Sequence, residues 1–150
     1  MSTTQSAQAQ HRGHCLCGAV RFVASGDPRW VAHCHCESCR RATSAALATY
    51  AGFATGKVRW SGETRTLFES SPGVVRSFCA RCGSPMSFAG ERWPDEVHLF
   101  VASFAEPHRL APTVHVHVQE QLPWLHLADG LPRFATTPRD GGPLPPDHLP

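Results

Sequence analysis

No apolar run in this 150-residue chain approaches the roughly 18–20 residues that a membrane-spanning helix requires. The opening stretch, M-S-T-T-Q-S-A-Q-A-Q-H-R-G-H, also lacks the apolar region of a secretory signal, so the expectation is a cytoplasmic protein with no membrane partner. Basic density is missing too. The longest cationic run is Arg40-Arg41 and the net charge is only +2, which argues against nucleic acid as a partner. Charged residues make up 17% and hydrophobic ones 41%, the balance of a globular chain rather than a disordered one. The length suits one domain with a real core. Cysteine is the residue in good supply. There are seven, an odd number that no closed set of disulfides uses up. In a reducing compartment, clustered thiols read as metal ligands.

Residues 1–12 read as a loose N-terminal tail. Residues 136–150, T-T-P-R-D-G-G-P-L-P-P-D-H-L-P, read as a Pro/Gly-rich tail that supports neither helix nor central strand. That leaves a single domain over 13–135. Within it, residues 19–23, 58–60, 66–68, 74–78, 97–102 and 114–118 have strand character and are separated by turn residues. Ser61-Gly62-Glu63 is expected to join two of these segments as a hairpin. Residues 37–46 alone suggest a helix, and a short one. The class is mainly β, with small twisted antiparallel sheets and few short helices.

The cysteines fall into three groups: Cys15 and Cys17; Cys34, Cys36 and Cys39; Cys79 and Cys82. The first and last each end in Cys-Gly, as C-L-C-G and C-A-R-C-G. A glycine there lets the backbone turn with positive φ and aim amides at the thiolates, the local shape of a zinc knuckle. Two knuckles make a closed, tetrahedral structural site of four cysteines. Cys39 is followed by Arg40, which sets the middle group apart. A rival division pairs Cys36/Cys39 with Cys79/Cys82 and leaves Cys15, Cys17 and Cys34 without a role.

The middle group lies in A-H-C-H-C-E-S-C-R-R. In an extended C-x-C the two thiols point to one side, and a turn into helix brings Cys39 round to join them. The same alternation sends His33 and His35 to the opposite face. Three protein ligands with an open fourth position suit a catalytic zinc, and a thiolate-rich one suits a thiol substrate. The alternative is a second structural zinc with a fourth ligand from afar, for which His98, His115, His117 and His126 are available. His115 and His117 are expected on one face of an exposed strand whose edge could pair with a second copy, giving a homodimer. Arg40 and Arg41 are candidates to lower thiol pKa values or grip a substrate carboxylate. Tyr50, Phe53 and Trp124 are candidates for a pocket wall or the core.

Three motifs in order, G-H-C-L-C-G-A-V-R-F, C-H-C-E-S-C-R and F-C-A-R-C-G, resemble those of the glutathione-dependent formaldehyde-activating enzyme family, also called the GFA or CENP-V/GFA domain family. The later P-W-L-H-L-A-D-G-L-P-R-F is similar to that family's C-terminal end, so the resemblance spans residues 13–134. It implies an Mss4-like fold built around a structural zinc on Cys15, Cys17, Cys79 and Cys82. It implies a second, catalytic zinc on Cys34, Cys36 and Cys39, hence two zinc ions per chain. The implied activity is that of a carbon–sulfur lyase, an S-(hydroxymethyl)glutathione synthase that joins glutathione to formaldehyde or a related small electrophile. The competing readings are a non-catalytic zinc-binding module and a thiol- or metal-responsive sensor with an exchangeable second zinc.

Overall fold

Short alternating segments closed by turns become ten strands and one α-helix among the described residues, 8–146, of the computed structural model. In chain order these are β1 (Gln10–His14), β2 (Val20–Ser25), β3 (Trp30–Cys34), α1 (Glu37–Thr43), β4 (Ala48–Ala54), β5 (Val58–Gly62), β6 (Thr66–Ser71), β7 (Val74–Phe78), β8 (Pro85–Gly90), β9 (Glu96–Phe100) and β10 (Val114–Val116). They build a three-stranded sheet, β1-β2-β5, and a seven-stranded sheet, β10-β3-β4-β9-β8-β7-β6. All pairings are antiparallel except β10 with β3.

Period-two alternation gives the large sheet two distinct buried faces. From β4 and β9, Ala51, Phe53, Val97 and Leu99 point into the main core, where they meet Phe22, Met86 and Phe104. The intervening Ala48, Tyr50 and Phe100 point the other way. There they form a second, smaller cluster with Cys34 and Cys39. Strand β4 is therefore buried on both faces, which is why its sequence reads as a nearly continuous apolar run.

Several sequence expectations change. The hairpin around Gly62 does not form: β5 pairs with β2 in the small sheet, whereas β6 pairs with β7 in the large one. Gly62 has φ +76° and Glu63 N–H donates to the Ala19 carbonyl at 2.8 Å, so the turn passes the chain between sheets. Residues 10–12 belong to β1, paired with residues 23–25, rather than to a tail; residues 1–7 lie outside the described residues. The helix stops at Thr43 because Ser44 adopts a left-handed conformation, φ 52°, that returns its N–H to the Arg40 carbonyl.

The H-V-H segment also differs. His115 lies in β10 and is fully buried, but His117 has φ 55° and has left the strand. The two do not share a face. Nor is the edge of β10 open: His115 N–H donates to Pro132 O and Phe134 N–H to His115 O, each at 2.9 Å. The chain continues along this edge past residue 135. His117 N–H donates to Thr136 O, Thr137 is buried, and Asp140 accepts from both threonine hydroxyls and from Arg92 at 2.6–2.9 Å. Trp124 is 67% exposed and takes no part in the core, because the 122–130 segment lies on the surface.

Gly62 supports a direct test. A Cβ there would collide with the Ala19 carbonyl oxygen, and the positive φ disfavours any other residue. Gly62→Ala is expected to cost about 2 kcal/mol or more and to lower the melting temperature by about 4–8 °C. Gly56→Ala, whose Cβ meets nothing within 4 Å, is expected to be neutral. Equal melting curves for the two variants would contradict the crossover.

Candidate metal centres and active-site pocket

The first thiol cluster forms where two turns from different sheets meet. The β1–β2 turn carries Cys15 and Cys17, and the β7–β8 turn carries Cys79 and Cys82. In each turn the glycine after the second cysteine has positive φ, +79° at Gly18 and +75° at Gly83. Each glycine returns its N–H to the carbonyl of the first cysteine, at 3.0 Å and 2.8 Å. Val20 N–H then donates to the Cys15 sulfur at 3.3 Å. Ser84 binds the turns together, its hydroxyl accepting from Leu16 N–H at 3.0 Å and lying 3.2 Å from the Cys82 sulfur. The Ser84 hydroxyl and backbone N–H hold the Cys82 thiol down at about 5.

The second cluster is built at the end of β3 and the start of α1. Cys34 closes the strand and Cys36 is the N-cap of the helix, its sulfur accepting from Cys39 N–H at 3.3 Å. That bond folds Cys39 back, so the Cys34 and Cys39 sulfurs stand 3.7 Å apart. The Tyr50 hydroxyl donates to the Cys39 sulfur at 3.4 Å. Arg76 reaches that hydroxyl at 3.3 Å and the same sulfur at 3.9 Å. Hydrogen bonds from the Cys34 and Cys36 thiols, and then from Tyr50, hold Cys39 at about 2, while the Cys36 and Cys39 thiols, and then burial, push Cys34 far above the ordinary range. Burial, and then the charge on Cys39, raise the Tyr50 hydroxyl, which stays a donor.

Both clusters pass a test for a metal. Tetrahedral zinc with Zn–S near 2.3 Å sets sulfurs about 3.8 Å apart. The observed separations are 3.6 Å for Cys15–Cys17, 3.8 Å for Cys17–Cys79 and 3.7 Å for Cys34–Cys39. The sulfurs of each group all lie within 4.8 Å of one another. Packed this closely, three or four thiols cannot all ionise unless a cation offsets their charge. The donor set and spacing are compatible with zinc. The rival pairing of Cys36/Cys39 with Cys79/Cys82 is not formed, because those pairs belong to separate clusters.

Among the described residues, no His, Asp or Glu donor joins the triad within that distance. His33 bonds to the Thr49 hydroxyl at 2.8 Å. His35, His115 and Asp129 form a chain with links of 2.9 Å and 2.8 Å. An ionised Asp129 only accepts, so neutral His115 donates from Nε2 and accepts at Nδ1 from His35. Burial lowers His35 to about 4. His98 bonds to Glu96 at 2.8 Å, His117 lies 3.7 Å from Glu120, and His126 is exposed.

The triad opens onto a cavity of about 880 Å³. Cys34, Cys36, Cys39, Tyr50 and Arg76 lie on its wall. Of the two arginines singled out in the sequence, Arg40 is bound to the His35 and Glu120 carbonyls, whereas Arg41 lies on the pocket wall and pairs with Glu37. Phe53 is in the main core. Arg76, Phe88 and Trp93 escaped the sequence reading. Arg76 sits in V-V-R-S-F, where alternation puts it on one face with Val74 and Phe78, and nothing local shows that this face borders the thiols.

Comparison with known proteins agrees with this architecture. A solved structure of a Rhodobacter sphaeroides protein has the same fold, with a TM-score of 0.51 at 21% identity over 82% of this chain and 98% of that one. A Halomonas elongata protein, provisionally named a glutathione-dependent formaldehyde-activating enzyme, is 30% identical over 125 residues, 77% of this chain and 79% of its own. An uncharacterized lyase of Schizosaccharomyces pombe is 30% identical over 80 residues, 53% of this chain and 58% of its own. Residues 10–120 match the family model described as glutathione-dependent formaldehyde-activating enzyme. With its cysteine motifs inside that match, the chain belongs to the glutathione-dependent formaldehyde-activating enzyme family.

Proposed function

We propose that the chain is a zinc-dependent carbon–sulfur lyase or synthase that acts on the adduct of a thiol, glutathione, with formaldehyde or a related electrophile. The observation that carries this reading is the Cys34/Cys36/Cys39 triad: three sulfurs at zinc-like spacing, facing a cavity, with no fourth side-chain donor among the described residues. The names of the relatives in Halomonas elongata and Schizosaccharomyces pombe support it. Cys15, Cys17, Cys79 and Cys82 would hold the structural zinc and the triad the reactive one, two per chain. Bound at the triad, zinc would supply a Lewis acid and favour the thiolate form of a substrate sulfur.

The chain's own groups supply the rest. Adding a thiolate to an aldehyde carbon moves negative charge onto the carbonyl oxygen. The Tyr50 hydroxyl and the Arg76 guanidinium are donors already aimed at anionic charge in the pocket. Their mutual hydrogen bond and the strands beneath them hold both in place, so little reorganisation is needed. Arg41 and Arg139 also lie on the cavity wall and offer cations to glutathione carboxylates.

The division of labour between clusters predicts distinct losses. Cys15→Ser and Cys82→Ser are expected to unfold or aggregate the protein, since apparent structural zinc energies run to about 10–16 kcal/mol. Cys36→Ser is expected to stay folded by circular dichroism, bind about half the zinc in elemental analysis, and lose all adduct-forming activity. Should Cys36→Ser damage the fold as badly as Cys82→Ser, the division is wrong. Tyr50→Phe is expected to lower the rate of adduct formation about 10²-fold with zinc content unchanged. An unaltered rate would remove Tyr50 from the reaction.

A further inference from the structure

The wall beside the thiol triad is aromatic. The Trp30 ring meets His98 edge-on at 4.5 Å, Phe88 stacks on His98 at 5.1 Å, and Trp93 approaches both at 5.4 Å and 6.1 Å. Tyr50 and Phe100 close the wall, 4.5 Å apart. Trp30, Tyr50, Phe88, His98 and Phe100 come from strands β3, β4, β8 and β9, so the wall is rigid. Glu96 locks it, accepting from Trp30 Nε1 and lying against His98 Nε2, both at 2.8 Å. Arg29 also donates to Glu96, at 3.3 Å. That carboxylate is therefore engaged and presents no free acid to a ligand.

Formaldehyde has no use for such a wall. It is one carbon with almost no apolar surface to bury, whereas the cavity of about 880 Å³ lies in the range of sites for much larger ligands. The charged ends of glutathione do not suit the aromatic wall either. Arg76 is already directed at Tyr50 and Cys39, whereas Arg41 and Arg139 each use one nitrogen, at Glu37 and at the Arg92 carbonyl, and keep further N–H donors on the cavity wall. Trp30, Phe88 and Trp93 stay partly exposed and offer ring surface to a ligand.

We infer that the electrophile handled at this site carries a bulky apolar, aryl-sized substituent that packs against Trp30, Phe88 and Trp93, while the thiol partner's charged groups lie toward Arg41 and Arg139. The inference rests on the lyase reading above and narrows its substrate class. The step is an addition: one C–S bond forms, the thiol S–H bond breaks, and the carbonyl π pair becomes an O–H that takes the proton. No oxidant or reductant is required, and the reverse step releases aldehyde and thiol.

Calorimetric titration of the zinc-loaded chain with S-methylglutathione and S-benzylglutathione tests the wall without chemistry. S-Benzylglutathione is expected to bind about tenfold or more tightly than the methyl compound. Phe88→Ala and Trp93→Ala are each expected to shrink that ratio about threefold or more, with methyl-compound affinity little changed. Equal affinities, failure of the benzyl compound to bind, or a ratio indifferent to both substitutions would overturn the inference. Rates of adduct formation from glutathione with formaldehyde and with benzaldehyde complete the test. Faster turnover of benzaldehyde supports the inference, and turnover of formaldehyde alone overturns it. Absence of turnover with either aldehyde sinks the lyase reading, and the binding ratio then decides the inference alone.

Discussion

Four sulfur atoms from two turns, one turn in each sheet, meet within 4.8 Å of one another. Cys15 and Cys17 leave the small sheet at the β1–β2 turn; Cys79 and Cys82 leave the large sheet at the β7–β8 turn. Without a cation, crowding their charges is unfavourable. With one, the same crowding becomes a cross-link between elements more than sixty residues apart in the chain. Cys15 and Cys79 are buried in the main core, so that link is continuous with the packing of Phe22, Met86 and Phe104.

The second thiol group shows what that rigidity allows. Strands β3, β4 and β9 bury one set of side chains in the main core and turn the alternate set toward the pocket. A single sheet thus serves as both scaffold and wall. Its pocket-facing positions carry Cys34, Tyr50, His98 and Phe100, a mixture that a purely structural face does not need. Behind the triad, His35 docks on His115 and Asp129, and Arg40 grips the carbonyls of His35 and Glu120. These contacts fix the C-H-C segment from its non-thiol side.

Cysteine chemistry was the most legible part of the sequence. The glycines after Cys17 and Cys82 have a local cause, positive φ in a tight turn, so the grouping could be read without knowing the fold. Six of the ten strands were legible for the same reason, since alternation is local, but β1, β3, β4 and β8 were not read as strands. What failed was partnership. Nothing in S-G-E distinguishes a hairpin from a turn that sends the chain to another sheet, because the deciding contact, the Ala19 carbonyl, lies more than forty residues away. His115 and His117 look equivalent by spacing, and a single left-handed residue separates them. Arg76 went unremarked because its closeness to Cys39 is a contact between residues thirty-seven apart in the chain. Trp124, large and apolar, looked like core, yet it lies on a surface segment that packs little behind it.

The covering of the β10 edge bears on the order in which the molecule is made. Strand β3, the triad and both knuckles are complete in the first half of the chain plus the next few residues, by Cys82. The outer neighbour of β3 is β10, and the segment that shields β10 comes later still, at residues 132–136. Thr137, Pro138 and Arg139, which also border the cavity, follow it. During synthesis at about 5–20 residues per second, the thiols therefore emerge seconds before the strands and segments that enclose them. The wall of the cavity is complete only once Arg139 has been made. For that interval the sulfurs of Cys34, Cys36 and Cys39 lack the later segments that border their cavity in the folded chain.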